Sequence, residues 1–343
     1  MHAFALAFVA AALFGASTPA SNVLLDQLHP VQLAGLLYLG AAVAMIPPVA
    51  RERRFRAAPP SSPVNRQRLA GAVLLGGVVG PILLLAGLRI ASATSVSLLL
   101  NVELAATAVI GFVMFREHFT APALLGVAGV VLSGVLLTWA EDGLPGVGAG
   151  LLVMAACVCW ALDNHLTSLI DGLTPSRSTL WKGAVAGIAN SAIGLAVAPL
   201  SASASFIIAA VVVGALCYGA SIVLYITAAQ QLGATRAQSV FASSPFIGAA
   251  LSLLALGEPL TGTQLAAGVI LLASIVAITS SAHEHPHDHA TIEHIHSHRH
   301  DDGHHDHEHP GLPPATRHTH AHRHERVGHA HPHWPDLHHR HSH

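Results

Sequence analysis

The feature that most constrains this chain is a succession of apolar runs, each about long enough to cross a lipid bilayer. The hydrocarbon core is about 30 Å thick, so a helix rising about 1.5 Å per residue spans it with about 20 residues. Runs of that kind, bounded by charge, Pro or Gly, cover residues 3–25, 31–50, 69–90, 93–115, 121–140, 147–170, 180–200, 205–229, 234–256 and 263–281. Ten transmembrane helices are therefore expected, and the fold class is an all-α membrane protein, because a helix satisfies its own backbone polar groups in lipid. Composition agrees: 10% of the residues are charged, against about 25% in ordinary soluble domains. The first run is preceded only by Met1-His2, with no basic segment. It is too long for the apolar part of a cleaved signal, and it is read as a helix.

The charge pattern sets an orientation and removes one class of partner. A net charge of −2 excludes a strongly basic nucleic-acid binder, which needs clustered Lys and Arg to neutralise phosphates. Basic residues collect on alternate connections: Arg51, Arg53, Arg54, Arg56, Arg66 and Arg68, then Arg116, then Arg177 and Lys182, then Arg236. The opposite connections hold Arg89 together with Glu141 and Asp142. By the positive-inside rule the Arg-rich side is cytoplasmic, and both termini are expected there. Cys157, Cys159 and Cys217 all lie in apolar runs, so they read as small hydrophobes rather than a disulfide framework.

The chain also repeats itself. An offset of 141 pairs Ala93-Thr94 with Ala234-Thr235, Glu117 with Glu258, Thr120 with Thr261 and Leu124 with Leu265; an offset of 145 pairs Asp26-x-Leu28-x-Pro30 with Asp171-x-Leu173-x-Pro175. Residues 1–141 and 142–282 thus read as two copies of a five-helix unit, with 283–343 as a tail. Five is odd, so the second copy is expected upside down relative to the first. Inverted repeats recur in secondary transporters, where they place a midplane site between two equivalent exits.

The stretch Ser244-Pro245 through Gly257-Glu258-Pro259-Leu260-Thr261, followed by Gln264-Leu265-x-x-Gly268, resembles the repeat signature of the EamA family in the drug/metabolite transporter superfamily. Arg116-Glu117-His118-Phe119-Thr120 with Leu124-Leu125-Gly126 resembles its first copy. The resemblance implies an inner-membrane permease with ten helices in two copies, usually an exporter of small metabolites. Leu104 stands where the second copy has Pro245, and Glu103 precedes it; the proline kink is accordingly expected to be missing from the fourth span.

Ionisable groups inside a span are costly, and each is a functional candidate. Glu103 lies in the fourth span, two residues after Asn101. It reads either as a proton-coupling carboxyl or as a hydrogen-bonded packing residue. Trp160, Asp163, Asn164 and Thr167 occur at i, i+3, i+4 and i+7, one helix face that should look into the bundle. Asp163 is expected to pair with Lys182, with Arg177 as competitor, either as a gate or as part of the solute site. Trp181 reads as an interface anchor. Glu117 and Glu258 read as organisers of the connections that follow them. Gly76-x-x-x-Gly80 and Gly183-x-x-x-Gly187 permit close helix contact. Pro19 and Pro81 fall inside spans, where a lost N–H can leave carbonyls free.

The tail is another physical regime. Of 27 histidines, only His2, His29, His118 and His165 precede residue 283. Beyond it come His283, His285, His287 and His289, then His294, His296, His298 and His300, then His304, His305, His307 and His309, then His318, His320, His322 and His324. With few apolar residues and frequent Pro, Gly and charge, the tail is expected to be a disordered cytoplasmic extension. In an extended chain residues i and i+2 lie about 7 Å apart on one side, so alternate imidazoles can converge on one ion. Imidazole suits Ni, Zn, Co and Cu. The competing readings are a pH-responsive or solubilising tail.

Three functions remain on the sequence alone: an exporter of small metabolites or drugs with a metal-binding tail, a Ni/Co/Zn efflux transporter, and a membrane-anchored metal store. The intramembrane ligand set is thin for the second, and the duplicated core disfavours the third. No nucleophile–base pair or phosphate-cradling loop points to an enzyme, and no cofactor is required. The expected partners are a small-molecule solute, the lipid bilayer and divalent metal ions. A homodimer is one assembly open to such a bundle, and a bacterial cytoplasmic membrane is the expected location.

Overall fold

The computed structural model describes residues 2–52, 63–115, 121–140, 143–168, 170, 174–232, 237, 240–279, 284–288, 292–298, 318–324 and 328–332. Eight helices in it are long and apolar enough to cross a membrane: α1 (Ala3–Leu24), α2 (Pro30–Arg51), α3 (Pro63–Leu88), α4 (Ala93–Gly111), α5 (Ala121–Trp139), α6 (Gly146–Thr167), α7 (Ser176–Val197) and α8 (Ala204–Ala228). Two shorter apolar helices follow, α9 (Ser244–Leu256) and α10 (Gly262–Ile278). That makes ten apolar helices among the described residues, eight of them of spanning length. Ser244-Pro245 opens α9 with proline in its first turn, a position where the missing N–H costs nothing. The described helix therefore starts well inside the predicted 234–256 run.

Large side chains on the bundle's outer surface are apolar, among them Leu125, Trp139, Trp181 and Leu254. That is the inverse of a soluble protein's surface and fits a lipid solvent. The inner face is built from small residues and leucines, with Leu28, Leu33, Leu85 and Leu99 almost fully buried. Helix pairings recur between the halves. α1 packs on α8 and α9, and α2 on α8; α6 packs on α3 and α4, and α7 on α3. α2 pairs with α7, α4 with α9 and α5 with α10. Each pairing maps onto another, or onto itself, when every helix is exchanged for the one five places away.

Two helices carry a wider, π-helical turn, Val73–Val79 in α3 and Gly214–Ala220 in α8. In the first the Gly80 N–H reaches back to the Leu75 carbonyl, and in the second Ser221 N–H reaches the Leu216 carbonyl. Both are five-residue steps, and they stand 141 residues apart, the sequence offset of the repeat. Such turns concentrate at functional positions.

α4 lacks the proline of α9, with Leu104 in its place, and is interrupted all the same: the helical stretch Ala93–Leu99 gives way to a turn at Leu100–Asn101 before Val102–Phe115. Asn101 Nδ2 donates to the Leu98 carbonyl at 3.0 Å, so a side-chain amide competes with the helix ladder locally. Four short segments of the tail are described. Glu284–Asp288 pairs antiparallel with Gly328–Pro332, and Ile292–His298 with His318–His324. The alternation that spaces imidazoles has the period of a strand.

Candidate functional site

The site begins with a proline. Pro81 in α3 has no N–H, so neither the Gly77 carbonyl in an α step nor the Gly76 carbonyl in a π step finds its usual partner. Both oxygens are met by side chains from other helices. The Tyr38 hydroxyl (α2) and the Trp160 indole N–H (α6) donate to the Gly76 carbonyl at 2.5 and 3.0 Å. Asn190 Nδ2 (α7) donates to the Gly77 carbonyl at 2.9 Å. Three helices are thereby tied to one wide turn. Trp160 is buried, whereas Trp181 is exposed on the bundle's outer surface.

Asp163 stands one turn further along α6 and is 5% exposed. A carboxylate that deep needs compensation. Lys182 Nζ on α7 lies 2.5 Å from its Oδ2, and the Thr167 hydroxyl donates to its Oδ1 at 3.0 Å. Gly76 makes room for this pair: a Cβ there would collide with the Asp163 carboxylate, and one on Gly80 would press within 2.9 Å of the Trp160 indole nitrogen. The spacing Gly76-x-x-x-Gly80 therefore serves a polar contact as well as close helix approach. Gly183 and Gly187 bring α7 equally close to the α2 backbone.

Asn164, next along α6, is exposed where Asp163 is buried. Its Nδ2 donates to Glu103 Oε1 on α4 at 2.8 Å, and Glu103 is within electrostatic range of Asp163, Lys182, Tyr38 and Tyr225. The structure thus gathers Glu103, Trp160, Asp163, Asn164, Thr167 and Lys182 into one region, joining α4, α6 and α7. Asn101 is not part of it: it is buried, and its amide turns onto its own helix. His165 lies apart as well, with Nε2 3.1 Å from the Thr107 carbonyl.

Sequence reading missed the aromatic side of this region. Tyr38 and Tyr218 have ring centroids 5.9 Å apart; Phe14 lies 6.0 Å from Tyr218 and 5.5 Å from Phe241; Tyr225 lies 4.8 Å from Phe241. The string runs from the Gly76 turn across to α1, α8 and the approach to α9. A usable signal was present, since the chain has only three tyrosines, all within spans and all in this string.

Glu258 stands in the α9–α10 connection, and its carboxylate reaches across to α4, where it accepts the N–H groups of Ala93 and Thr94, both at 2.8 Å. Those are the orphan donors of a helix start. Its repeat partner Glu117 lies outside the described residues, as do Glu141, Asp142, Arg53 and Arg236. Among the tail histidines, His283, His289, His300, His304, His305, His307 and His309 also lie outside them. Among the described residues no group of three or more His, Cys, Asp or Glu side chains could hold a metal ion.

Comparison with known proteins fits this architecture. A Methanothermobacter thermautotrophicus protein named as an uncharacterized transporter is 26% identical over 294 residues, spanning 76% of this chain and 81% of the relative. A crystal structure at 17% identity superposes with a TM-score of 0.57, covering 82% of this chain and 96% of its own; at that identity the likeness concerns the fold alone. The EamA-like transporter family matches residues 1–139 and 148–280. With two matched repeats over most of its length, the chain belongs to the EamA-like transporter family and is a multi-pass membrane transporter.

Proposed function

We propose that the protein exports a small metabolite or drug across a bacterial cytoplasmic membrane by alternating access, with both termini inside and the Glu103–Asn164 and Asp163–Lys182 contacts forming the solute or proton site. The observation that carries this reading is the set of ionisable groups held at the crossing of α4, α6 and α7, within a bundle whose helix pairings and π turns recur at the repeat offset. Recurrent pairings of this kind support two inverted five-helix units, 1–141 and 142–282, whose alternative packings open the centre to opposite faces. Glu103 is the group suited to carry a proton. Its partner Asn164 is neutral, whereas Asp163 is already committed to Lys182.

Proteoliposomes loaded with a cytosolic small-molecule extract test the reading. Under an imposed pH gradient, a defined solute leaves vesicles containing the wild-type chain and is retained by Glu103→Gln. Equal retention profiles for the two proteins and for empty vesicles contradict it.

The tail is assigned to binding Ni, Zn, Co or Cu at the cytoplasmic mouth, as a buffer beside the permease. Its support is the alternation of histidines and the strand register, which sets His294 opposite His322, His296 opposite His320 and His298 opposite His318. Neutral imidazoles in such rows suit borderline divalent ions. Calorimetric titration with Ni²⁺ should give several ions per full chain and none per chain ending at Ala282. Solute export by the shortened chain should stay near normal. If metal is itself the cargo, the shortened chain still moves Ni²⁺ and Glu103→Gln stops it.

A further inference from the structure

The start of α4 is held by groups from the far end of the chain. Glu258 Oε1 accepts the Ala93 N–H, and its Oε2 accepts both the Thr94 N–H at 2.8 Å and the Thr94 hydroxyl at 2.5 Å. Beside it Gln264 Nε2 donates to the hydroxyls of Ser95 at 3.0 Å and Ser92 at 3.4 Å. Gln264 is itself aimed by a reciprocal cap at the start of α10. Its Oε1 accepts the Thr261 N–H, and its own N–H reaches the Thr261 hydroxyl. Gly257 ends α9 in the left-handed region at φ 68°, which turns the chain so that Glu258 leaves the helix line toward α4.

Three properties set this contact apart from a fixed cap. It joins the two halves of the chain entirely through polar groups, and Glu258 is only partly buried while Pro259 and Leu260 beside it are exposed, so water can replace it. The segment it holds, Ala93–Leu99, is separated from the Glu103-bearing remainder of α4 by the turn at Leu100–Asn101. That segment also hides a row of hydroxyls: Thr94, Ser95 and Ser97 are 0% exposed, and Ser97 Oγ is buried without a hydrogen-bond partner. A buried hydroxyl left unsatisfied is destabilising, and wetting it removes that cost.

We infer that Glu258 and Gln264 form a releasable latch on this half-helix, shutting the end of the bundle that bears the α3–α4 and α9–α10 connections. On release, Ala93–Leu99 swings about Leu100–Asn101 and turns its hydroxyl row to water, while Glu103 keeps its place beside Asn164. The inference rests on the alternating-access reading and adds the residues that govern one of its two gates.

The test uses the full chain with Cys157, Cys159 and Cys217 replaced by Ala and a single cysteine introduced as Ser97→Cys, labelled by a membrane-impermeant maleimide from each side of the membrane in turn. With Glu258 intact, labelling is slow from both sides. Weakening contacts to a charged acceptor should raise the rate at least about tenfold in Glu258→Gln, with Glu258→Asp in between. The rise should come from the side carrying the α9–α10 connection, while a single cysteine placed at Val130 in α5 stays unreactive. Unchanged labelling of Ser97→Cys in Glu258→Gln overturns the latch, and so does a parallel rise at the Val130 position, which would mark general loosening. Labelling needs no solute. A silent latch with solute export intact withdraws only the latch, and a working latch without export withdraws the transport reading.

Discussion

Lys182 Nζ and Asp163 Oδ2 meet 2.5 Å apart and bridge α7 to α6. The pair has one neutral supporter, the Thr167 hydroxyl. Removing either charge leaves the other buried and uncompensated, at a cost of about 3–5 kcal/mol. Lys182→Met and Asp163→Asn should each lower the melting temperature in detergent sharply, and the double variant should melt above both. Additive losses in the double variant would show that the two side chains are not energetically coupled.

The Gly76 position admits no side chain. Gly76→Ala would force a methyl group against the Asp163 carboxylate, an overpacking worth about 1–3 kcal/mol or more. Gly268→Ala meets nothing within 4 Å and lies in α10, where alanine is the better helix former. Thermal unfolding monitored by fluorescence in detergent should therefore drop for the first variant and hold or rise for the second.

The wide turn in α3 depends on donors supplied by its neighbours. Tyr38→Phe and Trp160→Phe each leave the Gly76 carbonyl with one partner, and together they leave it with none. Asn190→Leu orphans the Gly77 carbonyl. A buried acceptor without a partner costs about 1–3 kcal/mol. Hydrogen exchange across residues 73–80 should speed up modestly in either single aromatic variant and strongly in the double, while α5 exchanges as before. Equal protection in the wild type and the double variant would mean the carbonyl has another partner.

Much of this was legible in the sequence because lipid imposes simple rules. A run of about 20 apolar residues reads as a helix in a bilayer, and eight such helices occur among the described residues. The i, i+3, i+4, i+7 pattern from Trp160 to Thr167 placed the polar face of α6, and depth along the spans pointed Asp163 to Lys182. What escaped was what helical periodicity does not encode. Pro81 was visible as a source of free carbonyls, but the donors that meet them, Tyr38 and Asn190, lie on other helices. The break in α4 comes from Asn101 bonding its own helix rather than from a proline. Asn101 was grouped with Glu103 because they are two residues apart, yet two residues along a helix is about 200° of rotation. The partner of Glu258 was hidden in plain view: Ala93-Thr94, whose N–H groups it accepts, belongs to the same repeat offset as Glu258 itself.

The alternating-access reading is tested most directly at Asn164, the exposed neighbour of Glu103. A single cysteine placed there as Asn164→Cys, in a chain otherwise free of cysteine, should react with a small impermeant thiol reagent added from either side of the membrane. Protection from both sides should appear when the exported solute is present. Reaction from one side only, or from neither, would contradict a centre that opens in turn to both faces.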